Sequence, residues 1–440
     1  MKKWSGLILV LLLASLVLGA CKVRDFTATP EPTLTAEATK APAAESTGAA
    51  AEPTKEVDMR LFDEKGKMIC TIYKGFFPEL TKEQAATLAV FPEITDKDWS
   101  RGPKDATLTI LEYSDFQCPA CLGFYTELEK LLAKYPDDVR LVFRNFPLIS
   151  IHPNSKVAAQ AAEAAGLQDK YWEMYEALFS KQADWSGLGA EALLSWLKTE
   201  AGTLGLNSEK FASDLTSDVI VNKVNSEMDY AHNTIGLNST PTILLNGRPW
   251  SYDWSASTLG MVVDVLKYEK GHLETECPPW VIDMSKSYTA TIKTEKGDIV
   301  IKLYDDEAPI TVNSFVYLAE KGFFDGVTFH RVLHDFVAQA GDPSGTGISG
   351  SGYEFRDEIV STLTYDEAGM VGMANAGANT NGSQFFITYV PTTQLTGKYT
   401  IFGKVIEGMD VLAKLTERDP QNNPDAPAGD KILSITIEVK

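Results

Sequence analysis

The stretch MANAGANTNGSQFF, residues 373–386, decides the fold of the C-terminal part of this chain. It is followed by LTGKY at 395–399 and IFGKV at 401–405. Apolar and polar residues alternate on both sides of it, in YTATIKTEKGDIVIKLY at 288–304 with a turn at 296–298, and again at 432–439. Residues 309–321 are typical of one amphipathic helix. The pattern predicts a β domain whose first and last strands can close a barrel.

Together with FHRV at 329–332 and FVAQAGD at 336–342, this stretch resembles cyclophilin-type peptidyl-prolyl isomerases over residues 288–440. The resemblance implies an eight-stranded antiparallel barrel with two helices. It also implies an enzyme that catalyses rotation about the peptide bond before a proline. The implied catalytic residues are Arg331, Phe336, Gln339, Asn375 and Phe386. The implied substrate-binding residues are His330, Val337, Ala374, Gln384, Leu395 and Tyr399.

The chemistry of proline isomerisation explains these residue types. The barrier of about 18 to 20 kcal/mol comes from amide resonance, so a catalyst must favour the twisted state. The proline ring would be held by the apolar side chains of Phe336, Val337, Phe386 and Leu395. Arg331 would donate hydrogen bonds to the twisted imide, Gln339 would orient Arg331, and Asn375 would bind the substrate backbone. Without the resemblance, the phenylalanines would be assigned to a core and Arg331 to a surface ion pair.

Three positions depart from the residues that are usual in that family. Val337 stands in place of methionine, Gln394 in place of a frequent tryptophan, and Tyr399 in place of a frequent histidine. Val337 would loosen the proline pocket, and Gln394 leaves cyclosporin sensitivity open.

Two nearby patterns suggest ligands that we do not predict. GTGISG at 345–350 satisfies GxGxxG, but it neither follows a βαβ strand nor opens a helix, so nucleotide binding is rejected. His330 and His334 have helical i, i+4 spacing, but no third ligand accompanies them. We predict no cofactor and no metal.

A second chemical motif is CPAC at residues 118–121. The β-prone run ATLTILEY at 106–113 leads into it, and a helical pattern follows at 122–134. A cysteine in the first turn of a helix has its thiolate stabilised by unpaired N–H groups and by the helix dipole. The motif therefore predicts Cys118 as the attacking thiol and Cys121 as the resolving thiol.

The neighbouring segments extend this motif to a domain. VRLVFRNF at 139–146 indicates a buried strand, 154–231 a long helical stretch, and TPTILLNG at 240–247 a strand that begins with proline. The combination resembles DsbA-like thiol-disulfide oxidoreductases, in which a helical insertion interrupts a thioredoxin core. The resemblance implies a cis Pro241 after Thr240 beside the CxxC, and a Glu112 that assists proton transfer from Cys121.

Alternatives to this redox site remain open in the sequence. Cys118 and Cys121 could form half of a zinc site, although the other cysteines are single and far apart. Glu112 could be a solvated edge residue, whereas a buried carboxyl would have a raised pKa that suits a proton relay. Oxidase, isomerase and reductase activities all stay possible.

The N-terminus has the pattern of an export signal. Lys2 and Lys3 precede an apolar run at 7–17 and the small residues before Cys21, which resembles a bacterial lipoprotein lipobox with lipidation at Cys21. An ordinary signal peptide is the alternative. Residues 22–58 are rich in Ala, Thr, Pro and Glu, which predicts a disordered tether. The protein is therefore expected outside the cytoplasm, anchored to a membrane by lipid.

The remaining cysteines favour a structural bridge. If Cys21 is lipidated and Cys118 pairs with Cys121, then Cys70 and Cys277 are left to pair around the middle domain. That pairing is a hypothesis at this point.

We expect a multidomain chain with an α/β thioredoxin-like domain followed by the β-barrel. The predicted boundaries are a signal peptide at 1–20, a tether at 21–58, a DsbA-like domain at 59–276, a linker at 277–287 and an isomerase domain at 288–440. The net charge of −20 argues against nucleic acid as a partner. The expected partners are unfolded or partly folded extracytoplasmic proteins with X-Pro bonds and cysteines, and an unidentified redox partner. The alternative is a proline-peptide binding module that presents clients to the redox domain.

Overall fold

The computed structural model describes residues 61–420, 422–423 and 426–440. The predicted signal peptide, the lipidation site Cys21 and the tether lie outside the described residues. Among the residues that are described, no helix is both long and apolar enough to cross a membrane.

The first half of the described chain is an α/β domain. It is preceded by β1 (Thr71–Ile72), which pairs with a strand of the second domain. In chain order the elements of the α/β domain are α1 (Lys82–Leu88), β2 (Trp99–Arg101), β3 (Leu108–Ser114), α2 (Pro119–Lys134), β4 (Val139–Asn145), α3 (Ser155–Gly166), α4 (Tyr171–Ser180), α5 (Gln182–Trp185), α6 (Ala190–Thr203), α7 (Ser208–Leu215), α8 (Asp218–Asp229), a π-helix (Tyr230–Ile235), β5 (Thr242–Leu245), β6 (Arg248–Trp250) and α9 (Ala256–His272).

A mixed sheet carries this domain. In the described part of the chain its strand order is β2-β4-β3-β5-β6, with β3 parallel to β4 and the other neighbours antiparallel. Helices α3 to α8 lie in the chain between β4 and β5, which is where the sequence predicts a helical insertion. The predicted thioredoxin-like fold with a helical insertion is confirmed.

Aromatic packing joins the insertion to the sheet beneath the cysteines. The ring of Phe116 lies 5.1 Å from that of Phe143 on β4 and 4.9 Å from that of Phe179 on α4. Phe143 and Phe179 also flank Tyr175, with ring centroids 5.0 Å away in each case. All four side chains are buried, so the segment that leads into Cys118 rests on a well-packed base.

The second half is a β-barrel domain. Its elements are β7 (Tyr288–Thr294), β8 (Gly297–Leu303), α10 (Pro309–Glu320), β9 (Arg331–Val332), β10 (Val337–Ala340), β11 (Tyr353–Glu354), β12 (Met370–Asn375), β13 (Asn381–Thr388), a 3-10 helix (Thr393–Leu395), β14 (Ile401–Glu407), α11 (Met409–Leu412) and β15 (Ile432–Val439).

Eight of the nine described strands of this domain form one antiparallel sheet in the order β15-β7-β8-β14-β12-β13-β10-β9, and β11 pairs instead with β1. The first strand pairs with the last, with Tyr288 opposite Val439, as the sequence predicts. Backbone hydrogen bonds from Gly326 to Ile432 and from Phe329 to Asp430 join the segment before β9 to the start of β15. These bonds bring the two ends of the sheet together, and the predicted antiparallel barrel is confirmed.

Helix α10 differs from the amphipathic helix that the sequence predicts. Its residues from Ile310 to Ala319 are buried except Tyr317, so it has no broad solvent face. The segment after Cys277 covers it: the Asn313 side chain accepts hydrogen bonds from the backbone N–H groups of Val281 and Ile282 and donates to the Pro279 carbonyl. Asn313 therefore binds the covering segment, and Thr311 and Ser314 bond to Glu358 and Tyr353, where we expected contact with water.

The predicted boundary at residue 59 is wrong for the first described segment, residues 61–73. Strand β1 pairs with β11 of the barrel, and Cys70 forms a disulfide with Cys277. Met68 is 1% exposed within the hydrophobic core of the barrel, and its N–H donates to the Pro278 carbonyl at 2.7 Å. From residue 61 onward, the described chain thus runs from the barrel to the redox domain and back. The predicted linker at 277–287 is packed on the barrel as well.

Candidate functional site

The loop before Cys118 is fixed by a buried carboxylate. Asp115 accepts a hydrogen bond from the Gln117 N–H at 2.7 Å with one oxygen and from the Leu148 N–H at 2.8 Å with the other. The second oxygen also lies 2.7 Å from Nδ1 of His152. Cys118 is then the N-cap of α2, followed by Pro119, which needs no N–H partner at this position. The strand, turn, CxxC and helix predicted from sequence are all present.

The two thiols have opposite acidities. Among the described residues Cys118 and Cys121 are the free cysteines, and both are buried. The hydrogen bond from the Cys121 thiol lowers the pKa of Cys118 to about 5, with help from the N–H groups of Ala120 and Cys121 and against the effect of burial. Burial raises the pKa of Cys121 well above its usual value. At neutral pH the pair is therefore a Cys118 thiolate beside a Cys121 thiol.

Thr240 and Pro241 lie against this pair. The Thr240–Pro241 peptide bond is cis, and the Thr240 carbonyl oxygen lies 3.5 Å from Sγ of Cys118. The start of β5 thereby forms one wall of the thiol site, in the position that the resemblance to DsbA-like proteins implies.

Glu112 lies inside the sheet beneath the cysteines. It sits on the central strand β3, opposite Phe143 on one side and Ile243 on the other, and it is 1% exposed. The alternative of a solvated edge residue is therefore wrong. Burial raises the pKa of Glu112 to about 8, while the Ser114 hydroxyl acts in the opposite direction. A carboxyl with this pKa can exchange a proton near neutral pH.

A cavity of about 410 Å³ opens on the barrel, and its lining includes every residue of the predicted isomerase site. These are His330, Arg331, Phe336, Val337, Gln339, Ala374, Asn375, Gln384, Phe386, Leu395 and Tyr399. They come from β9, β10 and the residues just before each of these strands, from β12 and β13, and from the 3-10 helix and the loop after it. The fold thus gathers residues that are up to about 70 positions apart in sequence into one cleft.

One end of the cleft is apolar. Val337, Phe386 and Leu395 are 3%, 5% and 7% exposed and belong to one hydrophobic cluster. The rings of Phe386 and Tyr399 meet edge to face with centroids 5.8 Å apart. Phe385, the residue before Phe386, is fully buried in the main barrel core. Adjacent side chains of β13 therefore point to opposite faces, and the cleft has its own floor.

Arg331 lies at the centre of the cleft wall. It is paired with Gln339 in the register of β9 and β10, and its guanidinium carbon lies 5.8 Å from the ring centroid of Phe336. The distance from its Nε to the Asp419 carboxylate is 3.9 Å, which is beyond a hydrogen bond. Arg331 therefore forms a long ion pair with Asp419, but it also lines the cleft, so an ion pair is not its only contact.

The polar residues of the cleft form a network. Gln339 donates to the side-chain oxygen of Gln384 at 2.9 Å, and Gln384 donates to the carbonyls of Gly347 and Ser349. Asn375 donates to Asp357 at 3.3 Å and to Asn381 at 3.2 Å. The side-chain nitrogen of Gln339 therefore donates to Gln384. The position of Gln339 beside Arg331 is set by the pairing of β9 with β10.

The two histidines of the rejected metal pattern separate in space. His330 is 3% exposed and lines the cleft, and burial lowers its pKa to about 4, so it is neutral at physiological pH. His334 instead contacts the Leu415 carbonyl at 2.9 Å. Within the described parts of the chain, no group of three or more His, Cys, Asp or Glu side chains is arranged to hold a metal ion.

Sequence reasoning missed several residues that line the cleft, and two of them lie outside the barrel domain. Tyr73, just after β1, and Met261, on α9, line the same cavity although both precede the barrel in the chain. No local pattern marks either residue. The spacing of Cys70 and Cys277 was the one signal that the segment before Tyr73 returns to the barrel.

In comparison with known proteins, each half of the chain matches a protein family. Residues 289–437 match the family described as cyclophilin type peptidyl-prolyl cis-trans isomerase/CLD, and residues 95–265 match a family described as thioredoxin.

Similar proteins include peptidyl-prolyl cis-trans isomerase-like 1 of Rhizopus delemar, 50% identical over 30% of this chain and 82% of that protein. Peptidyl-prolyl cis-trans isomerase ppi1 of Schizosaccharomyces pombe is 50% identical over 31% of this chain and 91% of its own length. A mouse protein named peptidylprolyl isomerase domain and WD repeat-containing protein 1 is 46% identical over 34% of this chain, but the match spans only 24% of that protein.

A solved Cryptosporidium parvum cyclophilin type peptidyl-prolyl cis-trans isomerase is 38% identical, covers 34% of this chain and 98% of its own, and has a TM-score of 0.33. The family assignment rests on the Rhizopus delemar and Schizosaccharomyces pombe proteins, because the match covers most of the length of each. The chain belongs to the cyclophilin-type peptidyl-prolyl cis-trans isomerase family, and it carries a thioredoxin-like domain before its isomerase domain.

Proposed function

We propose that this protein catalyses two slow steps of protein folding outside the cytoplasm, proline isomerisation in the barrel cleft and thiol-disulfide exchange at Cys118 and Cys121. Both reactions limit the folding of secreted proteins. The observation that carries the isomerase assignment is the gathering of all the predicted barrel residues in one cavity. The low pKa of Cys118 beside the high pKa of Cys121 carries the redox assignment.

In the cleft, the apolar end holds the proline ring and removes it from water. Arg331 then donates hydrogen bonds to the imide as it twists out of conjugation and its nitrogen becomes pyramidal. These bonds are stronger in the twisted state than in either planar state, which is the condition for catalysis. Because the carboxylate of Asp419 lies 3.9 Å from Nε, the guanidinium is not held by a close ion pair there.

At the cysteines, the Cys118 thiolate attacks one sulfur of a client disulfide, and a mixed disulfide forms as a client thiolate leaves. Glu112 in its ionised form then takes the proton of Cys121, and the Cys121 thiolate attacks Sγ of Cys118 to release the second client thiolate; the protonated Glu112 afterwards returns its proton to solvent. Two electrons pass from the dithiol to the client. The reverse sequence oxidises a client dithiol, and the direction in the cell depends on an unidentified redox partner.

The setting that we propose is a lipid-anchored protein on the outer side of a membrane, with Cys21 as the lipidation site. The disulfide between Cys70 and Cys277 supports an oxidising compartment. Metabolic labelling with a fatty-acid analogue should mark the full chain, and Cys21→Ser should lose the label and move to the soluble fraction. A parent protein that carries no label and fractionates as soluble would contradict the anchor.

The isomerase assignment is tested with the refolding of a protein whose slow phase is limited by a proline. The parent should accelerate that phase, and Arg331→Ala should reduce kcat/KM by at least about tenfold, because hydrogen bonds made only in the transition state are lost. Lys293→Ala, which removes an exposed charge on β7, is the control.

The same assay separates catalysis from the alternative of a binding module that presents clients to the redox domain. Met261 of the redox domain lines the cleft, which is the observation that favours this alternative. A parent protein that binds proline peptides but leaves the slow phase at its uncatalysed rate would favour presentation over catalysis.

A further inference from the structure

The lining of the cleft extends beyond the barrel. It includes Tyr73 from the N-terminal segment and Met261 from α9 of the redox domain, together with Ile348 and Tyr353 of the barrel. The polar side chains of Gln339 and Gln384 line the same cavity and are joined by a hydrogen bond.

Tyr73 is held in place from both sides along the chain. Three residues before it, Cys70 is bonded to Cys277, and Ile72 pairs with Tyr353 on β11. The N–H of Tyr73 donates to the Gly352 carbonyl at 2.7 Å. Beyond it, the Phe76 N–H donates to both oxygens of the Glu269 carboxylate on α9, at 2.9 and 2.8 Å. The ring therefore projects from a fixed backbone.

Met261 is held by the helix that packs on the cysteine-bearing helix α2. Its neighbours Leu259, Val262 and Val263 are buried in the core of the redox domain, whereas Met261 is half-buried and faces the cleft. The helix cannot turn Met261 away from the cleft without pulling these three side chains from the core.

The barrel loop at residues 351–352 is hydrogen-bonded to the segment that follows α9. The Glu274 N–H, just after α9, donates to the Ser351 carbonyl at 2.9 Å. Gly352 has a φ of +97°, and a Cβ there would lie 2.6 Å from the backbone nitrogen of Glu274. Only glycine allows this approach. The redox domain and the barrel thus meet along one edge of the cleft.

We propose that Tyr73 and Met261 form a side-chain subsite of the isomerase cleft, which takes a bulky apolar side chain that flanks the proline of a client. An aromatic ring and a flexible thioether offer apolar, adaptable surface, which suits leucine, phenylalanine or methionine better than small or charged residues. The subsite rests on the proposed isomerase function. It makes the client preference of the isomerase depend on the redox domain.

The test measures kcat/KM of the full chain on two peptide series that share one X-Pro bond. In one series each position around the proline is alanine, and in the other one position at a time is leucine or phenylalanine. The parent should prefer an apolar residue at one flanking position by about tenfold. Tyr73→Ala and Met261→Ala should each reduce that ratio to below about twofold, and Tyr73→Phe and Met261→Leu should retain it.

The ratio is measured within one preparation, so partial loss of folded protein does not change it. Met284→Ala, at an exposed position after the disulfide, is the control and should keep the parent ratio. An equal rate for all flanking residues in an active parent, or an unchanged ratio in either alanine variant, would overturn the subsite. A parent that turns over none of the peptides would instead count against the proposed isomerase function.

Discussion

The low pKa of Cys118 depends most on one neighbouring side chain. The thiol of Cys121 is the largest cause of its lowered pKa, which is about 5. We therefore expect Cys118 to react with iodoacetamide at a rate that follows the thiolate and reaches its plateau above about pH 6. Cys121→Ala should move that midpoint upward towards the ordinary thiol value. The rate is read from the mass of the peptide that carries Cys118.

The bonded cysteines Cys70 and Cys277 serve as internal controls, because a disulfide does not alkylate. A midpoint near that of a free thiol in the parent, or the same midpoint in Cys121→Ala, would contradict this source of acidity.

The buried carboxyl of Glu112 gives a second prediction at this scale. Its pKa is raised to about 8 by burial, so between its ordinary value of 4.5 and 8 the folded protein binds more protons than the unfolded chain. Stability contributed by the neutral acid is thus full below about pH 4.5 and is lost as the pH rises through 8. Glu112→Gln, which mimics the neutral acid, should raise the unfolding free energy of the reduced protein at about pH 9 by a few kcal/mol.

Urea unfolding of parent and variant at about pH 5 and pH 9 measures this difference. Glu191→Gln, at an exposed position of α6, should show no comparable pH dependence. If Glu112→Gln also slows the exchange reaction, Glu112 acts in proton transfer. If Glu112→Gln has the stability of the parent at both pH values, the prediction that Glu112 ionises with a pKa of about 8 is wrong.

At the scale of elements, the short strand β1 depends on its disulfide. Two residues of strand pairing are too few to hold a segment, whereas a bond between positions 207 residues apart restricts the unfolded chain strongly. Replacing both cysteines, Cys70→Ser with Cys277→Ser, should destabilise the barrel by about 2 to 5 kcal/mol. Calorimetry should show a lower barrel transition, and the parent under reductant should behave in the same way.

The matched control is the pair Cys118→Ser with Cys121→Ser, which leaves Cys70–Cys277 intact and should keep the parent's barrel transition. A barrel that unfolds at the same temperature with and without the bond would show that β1 is held by packing alone.

The elements that sequence could predict are those whose residues lie close together in the chain. The cleft residues fall within contiguous motifs of one domain, and the strand before CPAC runs directly into its helix, so both were predictable. Strand β1 and the covering of α10 were not, because each depends on a partner in another part of the chain. Tyr73 and Met261 could not be predicted as cleft residues for the same reason, since nothing near either residue in sequence indicates an isomerase cleft.

At the scale of the whole molecule, the chain path links two sites that use different chemistry. From residue 61 onward, the described chain lies on the barrel, forms the redox domain, and returns through α9 and the disulfide to complete the barrel. Helix α9 packs on α2, which begins just after Cys118, and carries Met261 to the isomerase cleft. Residues of both domains therefore line the cleft, and under the proposed function a client held there would contact both.

Single substitutions should nevertheless remove one activity and leave the other, because no side chain belongs to both the thiol site and the proline pocket. Cys118→Ser should abolish thiol-disulfide exchange, since the attacking sulfur is gone, while the proline-limited refolding rate remains that of the parent. Arg331→Ala should do the reverse. Both activities are measured on the same full-length preparations, with insulin reduction for exchange and a disulfide-free client for isomerisation. Loss of both activities in Cys118→Ser would mean that the thiolate site supports the cleft through α9, and that the two domains work as one catalytic unit.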